Sequence, residues 1–296
     1  MTGVILPLAV MLLWGSLFPM IKLGYRALDI NSGSTAEILM FAAMRFVVCG
    51  VAVCIFAAFK SERAKMPGSG EVFALCLMGL FAIVLHYGFT YLGLSVTDSS
   101  KTAILKQFAP LLYSCVAFAF ERDGRFSPLK IVGALIGFSG IAAINGGVSL
   151  KSFGTGELLI LAASVCTVIS MILSAKSAKS LPPLWITGIS QLFGGIVLLA
   201  VSFALGGRIH ELNLKAAMIF AYICVASIVG YTLFYYVQKT VPLSRLFIIK
   251  FAEPLFACVL GALLLGENIF RFRYLVAFVL ISLGIVICNI DRSKNV

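Results

Sequence analysis

The sequence predicts an all-α membrane protein of about ten transmembrane helices arranged as two inverted five-helix repeats. Three observations carry this. Of 296 residues, 61% are hydrophobic and 12% charged, too few charges to keep a globular surface wet. Apolar stretches of about 20 residues, enough to cross about 30 Å of hydrocarbon, recur along the whole chain. The chain also matches itself when slid by 144 residues.

The spans fall at residues 4–22, 37–59, 71–92, 100–120, 128–147, 156–175, 184–206, 215–237, 243–265 and 271–290. The first has the place of a signal peptide, but Trp14, Gly15 and Pro19 interrupt it and no small-residue cleavage site is clear, so it is read as a mature helix. Loops between spans are short and leave no room for a soluble domain.

The net charge of +11 invites a nucleic-acid reading, yet the basic residues are scattered through short loops without a basic stripe or stacking platform. Topology and anionic headgroups account for them. With the N-terminus cytoplasmic, 12 basic residues at 60–65, 122–130, 176–179, 239–245 and 292–294 lie inside, against 7 outside (Lys22, Arg26, Lys151, Arg208, Lys215, Arg271, Arg273). This bias places both termini in the cytoplasm and makes a multi-pass protein of the plasma (inner) membrane the expectation. All eight cysteines fall within apolar spans without metal-ligand spacing, which reads as reduced packing residues. No cofactor and no metal site is expected.

The repeat pairs Tyr87 with Tyr231, Tyr91 with Tyr235, Ser100 with Ser244, Lys106 with Lys250, Pro110 with Pro254, Leu111 with Leu255, Gly140 with Gly284 and Asn145 with Asn289. Apolar matches come cheaply in such a chain, but paired Lys, Pro, Tyr and Asn do not. The halves are residues 1–150 and 151–296. Five spans in each force the second half to enter the membrane from the opposite side, the architecture in which carriers place a site near the midplane.

The run WGSLFPMIKLGY at Trp14–Tyr25, the MRF at Met44–Phe46 and KFAEPLFACVLGALLLGE at Lys250–Glu267 resemble EamA-type members of the drug/metabolite transporter superfamily, over nearly the whole chain. The resemblance implies export or exchange of small metabolites without nucleotide hydrolysis, and names no substrate. Lysines four residues before both repeated prolines depart from the commonest pattern of that family.

Pro110 and Pro254 lack an N–H and should strip the carbonyls of Lys106 and Lys250 of their helical partners, leaving polar breaks tolerated only against protein or a watery cavity. Each lysine lies about 10 Å from one membrane face, so the two flank the centre. The competing reading lets each snorkel to an interface. Glu253, three residues after Lys250, shares its helical face, as a structural ion pair or as a ligand and proton-coupling carboxylate. Away from the span ends Arg45, Lys106 and Lys250 face one carboxylate, Glu253. An uncompensated charge costs at least about 2.5 kcal/mol at a helix centre, so a cavity holding this surplus seeks an anionic or zwitterionic metabolite. Arg45 bracing loops or the interface is the alternative.

Tyr87 and Tyr91 are one helical turn apart, as are Tyr231 and Tyr235. Each pair lines a pore or marks an interface. His86 is the only histidine inside a span, either a proton-coupling group or a hydrogen-bonded core residue. Trp14, Gln107 and Gln191 complete the candidates, the glutamines as substrate ligands or interhelical bridges. The GxxxG at Gly133–Gly137, backed by Gly140, reads as close packing within the fold.

The leading expectation is therefore a secondary transporter of a small anionic or zwitterionic metabolite, with the bilayer and a proton or counter-substrate as partners, acting as monomer or homodimer. A cationic drug or amine held by Glu253 is the alternative cargo. From other classes, a catalytic set such as HExxH or GxSxG is absent from the sequence, and short loops argue against an assembly factor or receptor.

Overall fold

The computed structural model describes residues 2–59, 66–116, 128–145, 153–208, 213–241, 243–250, 252–269 and 272–290. Every regular element among them is helical. The first three are α1 (Thr2–Ala27), α2 (Thr35–Phe59) and α3 (Ser69–Gly79). A widened π-helical turn at Leu80–Leu85 leads from α3 directly into α4 (His86–Val96). The remainder are α5 (Ser99–Leu105), α6 (Phe108–Val116), α7 (Pro128–Asn145), α8 (Thr155–Ser177), α9 (Pro183–Ala204), α10 (Leu214–Val237), α11 (Leu243–Ile249), α12 (Ala252–Leu265) and α13 (Phe272–Ile290).

Seven stretches among the described residues are long and apolar enough to cross a membrane: the helical Ile5–Ala27, Thr35–Phe59, Ser69–Val96, Thr155–Ser177, Pro183–Ala204 and Leu214–Val237, and Arg245–Leu265, which spans the break between α11 and α12. The expected fourth span is instead α5 and α6, interrupted at Lys106–Gln107, and its far end lies outside the described residues. The fifth and tenth correspond to α7, 18 residues long, and α13, 19 residues long.

Large apolar side chains stand outward, among them Phe59, Phe73, Leu214 and Phe272, while Arg45, Lys106, Lys250 and Glu253 are buried. That inverted distribution suits a chain solvated by lipid tails. The principal packings all join a helix of the first half to one of the second: α2 lies along α9, α7 along α13, α1 against α10 and α12, and α4 against α8. Shifting by 144 residues turns the α1–α10 packing into that of α8 with α4, and the α1–α12 packing into that of α8 with α6, which is also present.

Apolar lipid gives helices no hydrophobic reason to associate, so close backbone approach must do it. At Gly50 an added Cβ lies 2.4 Å from the backbone nitrogen of Leu192 on α9. The GxxxG of α7 serves this purpose too, since a Cβ on Gly284 of α13 would sit 2.5 Å from the Gly133 carbonyl oxygen and 2.7 Å from the Gly137 nitrogen.

Candidate functional site

The expectation of stranded carbonyls at the two helix breaks needs correction. The Ala109 N–H donates to the Lys106 carbonyl at 3.1 Å, and the Glu253 N–H donates to the Lys250 carbonyl at 3.1 Å. The chain tightens by one residue at each break and so supplies the partner that proline withholds. Each lysine directly follows a seven-residue helix, α5 or α11. Neither snorkels: Lys106 is 5% and Lys250 4% exposed.

Both lysines line one central cavity with about 650 Å³ of space outside atoms, its mouth included. Trp14 and Phe18 come from α1, His86 and Tyr87 from α4, Thr167, Ser170 and Ser174 from α8, Tyr231, Phe234 and Tyr235 from α10, and Glu253 from α12. The wall is aromatic with a few polar groups aimed inward, which is how small-molecule sites combine affinity with orientation.

Lys250 donates to the Glu253 carboxylate and holds its ammonium 5.0 Å from the Trp14 ring centroid. Lys106 has no carboxylate within ion-pair distance among the described residues. Its ammonium lies 3.1 Å from Nε2 of His86, with the Phe18 and Tyr87 ring centroids at 5.3 and 5.7 Å. The other imidazole nitrogen, Nδ1, is 3.1 Å from the Ala163 carbonyl oxygen and 2.7 Å from Thr167 Oγ1.

Arg45 stands behind this wall. Its Nε donates to Ser227 Oγ and its Nη1 to the Tyr91 hydroxyl, both at 2.7 Å, while Nη2 has no partner among the described residues. The guanidinium is 5.1 Å from the Tyr87 ring centroid, so that ring separates it from the cavity. Tyr91 is fully buried beside it and, like Arg45, does not line the cavity. Gln107, at the break, donates to the Ala103 carbonyl of α5 at 3.3 Å; its Oε1 and both polar atoms of Gln191 find no partner among the described residues. Pro110 and Pro254 are buried at the breaks.

Sequence reasoning passed over Phe18, Phe234 and the polar stripe of α8. Thr167, Ser170 and Ser174 recur at helical spacing in a largely apolar span, a signal that was present. It also passed over Glu267, which closes the end of the bundle beyond α12. Its Oε1 accepts from the Ser99 N–H at 2.8 Å and hydroxyl at 2.7 Å, and its Oε2 from the Ser100 N–H at 2.9 Å and hydroxyl at 2.5 Å. Lys22 Nζ is 3.9 Å away. Burial pushes this carboxyl up, but the Ser100 and Ser99 donors outweigh it and hold it below the usual carboxylate range. Glu267 thereby ties the second half to the start of α5.

The sequence matches the model of the EamA-like transporter family twice, over residues 1–146 and 154–290. A chloroplastic WAT1-related protein of Arabidopsis thaliana is 25% identical over 86% of this chain, which spans 63% of that relative's length. The "Uncharacterized inner membrane transporter YedA" of Escherichia coli K12 is 25% identical over 93% of this chain and 89% of its own. The "S-adenosylmethionine/S-adenosylhomocysteine transporter" of Chlamydia muridarum is 23% identical over 82% of this chain and 80% of its own. A solved crystal structure superposes with a TM-score of 0.68 at 18% identity, covering 99% of both chains; at that identity the likeness speaks for the fold alone.

Proposed function

Because the chain belongs to the EamA-like transporter family, we propose that it is a secondary transporter of a small anionic or zwitterionic metabolite, working by alternating access around the central cavity. The observation that carries this reading is the Lys106 ammonium, which faces the cavity with no carboxylate within ion-pair distance among the described residues. A charge buried this deeply draws an anion from the medium. The aromatic wall then receives the body of the substrate, with Tyr87, Tyr231, Tyr235 and Trp14 as contact surfaces. Arg45 and Tyr91 support that wall from behind.

The two halves, residues 1–150 and 151–296, act as inverted repeats of five spans each, and rocking one against the other moves access from face to face. The double family match and the exchange of helix packings under the 144-residue shift support this. The relative named for S-adenosylmethionine and S-adenosylhomocysteine makes amino-acid-like zwitterions the first cargo to try. The competing cargo, a cationic amine held by Glu253, is disfavoured because Lys250 already occupies that carboxylate. The site is built within one chain, in the plasma (inner) membrane, with both termini in the cytoplasm.

The test is ligand-dependent thermal stabilisation of the purified protein against anionic, zwitterionic and cationic metabolites, since any ligand of the native fold raises apparent stability by mass action. Stabilisation by anions or zwitterions that disappears in Lys106→Gln supports the reading. Stabilisation by cations alone overturns it.

A further inference from the structure

The two lysines of the cavity occupy equivalent positions, but their partners do not. Three residues after Lys250 stands Glu253; three residues after Lys106 stands Ala109. Conversely, the repeat equivalent of His86 is Gly230, and an added Cβ there would lie 2.7 Å from Trp14 Nε1. The second half gives its lysine a carboxylate; the first half gives its lysine an imidazole.

The chemistry of that imidazole is fixed by what surrounds it. The Thr167 hydroxyl donates to the Ala163 carbonyl at 3.0 Å, so at Nδ1, 2.7 Å away, its oxygen accepts; with that carbonyl, 3.1 Å from Nδ1, also able only to accept, Nδ1 carries the ring hydrogen. Nε2 then presents its lone pair to Lys106 Nζ at 3.1 Å, and the ammonium donates to it. A proton on Nε2 as well would set two cations at hydrogen-bond distance in a buried site, which their repulsion forbids. The Lys106–His86 pair therefore holds one positive charge or none.

The charged and titratable groups around the pair are Arg45 on α2, Tyr87 on α4, Tyr231 and Tyr235 on α10, and Lys250 and Glu253 at the break between α11 and α12. The lining residues of α1 and α8 include no titratable group. Three cations thus share the one carboxylate, and Lys250 holds it. The charge on Lys106 is compensated when an anion enters and uncompensated when it leaves.

We propose that Lys106 and His86 form a proton-binding site, and that a proton taken up there travels with the substrate anion in the same direction. The proton passes from water in the cavity to the Lys106 amine nitrogen, His86 Nε2 accepts one of the resulting N–H bonds, and the proton returns to water when the anion departs. No bond of the substrate changes. Proton and anion each strengthen the other's binding, by the reciprocity of linked equilibria. Glu253 serves as the standing counter-ion of Lys250. This proposal rests on the transport reading for its cargo but not for the proton site itself.

The chain has two histidines, so His210→Gln leaves His86 as the sole imidazole for ¹⁵N-histidine NMR of the full chain in lipid nanodiscs. The expected wild-type spectrum is a neutral ring protonated on Nδ1 with a hydrogen-bonded Nε2, persisting as the medium is acidified to about pH 5, well below the usual histidine midpoint. In Lys106→Gln the imidazolium should appear over that same interval. An Nε2–H tautomer in the wild type, or identical behaviour in both proteins, overturns the shared-charge site. A second arm repeats the thermal-shift measurement with succinate, L-glutamate and L-phenylalanine between about pH 6 and 8. Apparent affinity for the probe that binds should fall up to about tenfold per unit of rising pH, as one linked proton requires. Affinity independent of pH overturns proton–anion coupling. If no probe binds at any pH, the transport reading loses its cargo class, while the spectrum still decides the proton site.

Discussion

Lys106 and Lys250 differ in partner and in little else. Each follows a seven-residue helix, each has its carbonyl caught by the N–H three residues on, and each faces the same cavity. One is paired with a carboxylate on its own turn; the other leans on an imidazole 20 residues earlier. The difference teaches that the two lysines share a backbone device, a proline-loosened break bearing an ammonium, while their charge balance differs. A pair neutral in itself holds structure together, whereas a cation without a carboxylate leaves a place for a ligand.

The largest expected effect breaks the paired side. Lys250→Met leaves the Glu253 carboxylate buried without its cation and should lower unfolding stability by about 3–5 kcal/mol, as removal of one member of a buried pair does. Adding Glu253→Gln should restore most of that loss, as measured by thermal or denaturant unfolding in detergent. A single variant as stable as the wild type would show that the pair does not hold the fold together.

On the unpaired side, Lys106→Gln keeps a donor for His86 Nε2 and removes the charge. Anion affinity should fall at least about tenfold, about 1.4 kcal/mol, with unfolding stability changed by less than about 1 kcal/mol. Titration by the thermal-shift signal reads both. A stability loss matching that of Lys250→Met would erase the contrast between the two sites.

Arg45→Lys sharpens the comparison by asking whether the charge behind Tyr87 counts as cavity charge. It keeps the cation but cannot reproduce the two-armed contact to Ser227 and Tyr91, so stability should drop by about 1–2 kcal/mol while anion affinity holds. A parallel loss of affinity places Arg45 among the ligands.

The smallest effect concerns the clasp at Glu267. Its carboxyl is held below the usual range in the folded chain, so the ionised form contributes stability that is present above the unfolded value of about 4.3 and is lost as pH falls through the native one. The wild type should therefore exceed Glu267→Gln in unfolding temperature near neutrality and converge with it on acidification. Curves that stay parallel would mean the clasp holds without its charge.

Much of the fold was legible because the signals are local. Hydropathy marks a span from its own residues, and Pro110 and Pro254 predict breaks from their own chemistry. The long third span was visible, but not the π-helical turn before His86, which no residue in Leu80–Leu85 announces. The site was legible as a list and not as an arrangement. Lys106, Lys250, Glu253, Tyr87, Tyr231, Tyr235, His86 and Trp14 converge on the cavity, whereas Arg45, Tyr91 and Gln107 stand outside its lining. Helical spacing gives a face, and only the neighbouring helix decides what that face meets.

The sequence by itself determined that this chain has the apolar spans of a membrane protein, that it matches itself when slid by 144 residues, and that a lysine stands four residues before a proline at both matched positions. Composition, self-similarity and spacing are properties of the chain alone and survive any packing. Tertiary structure decided which cation is neutralised. Lys250 meets Glu253 through one helical turn, but His86 reaches Lys106 across two helices, Arg45 reaches Ser227 across 182 residues, and Glu267 reaches Ser99 across 168. Such contacts depend on which helices lie together and how closely glycine lets them approach, a balance summed over the whole bundle.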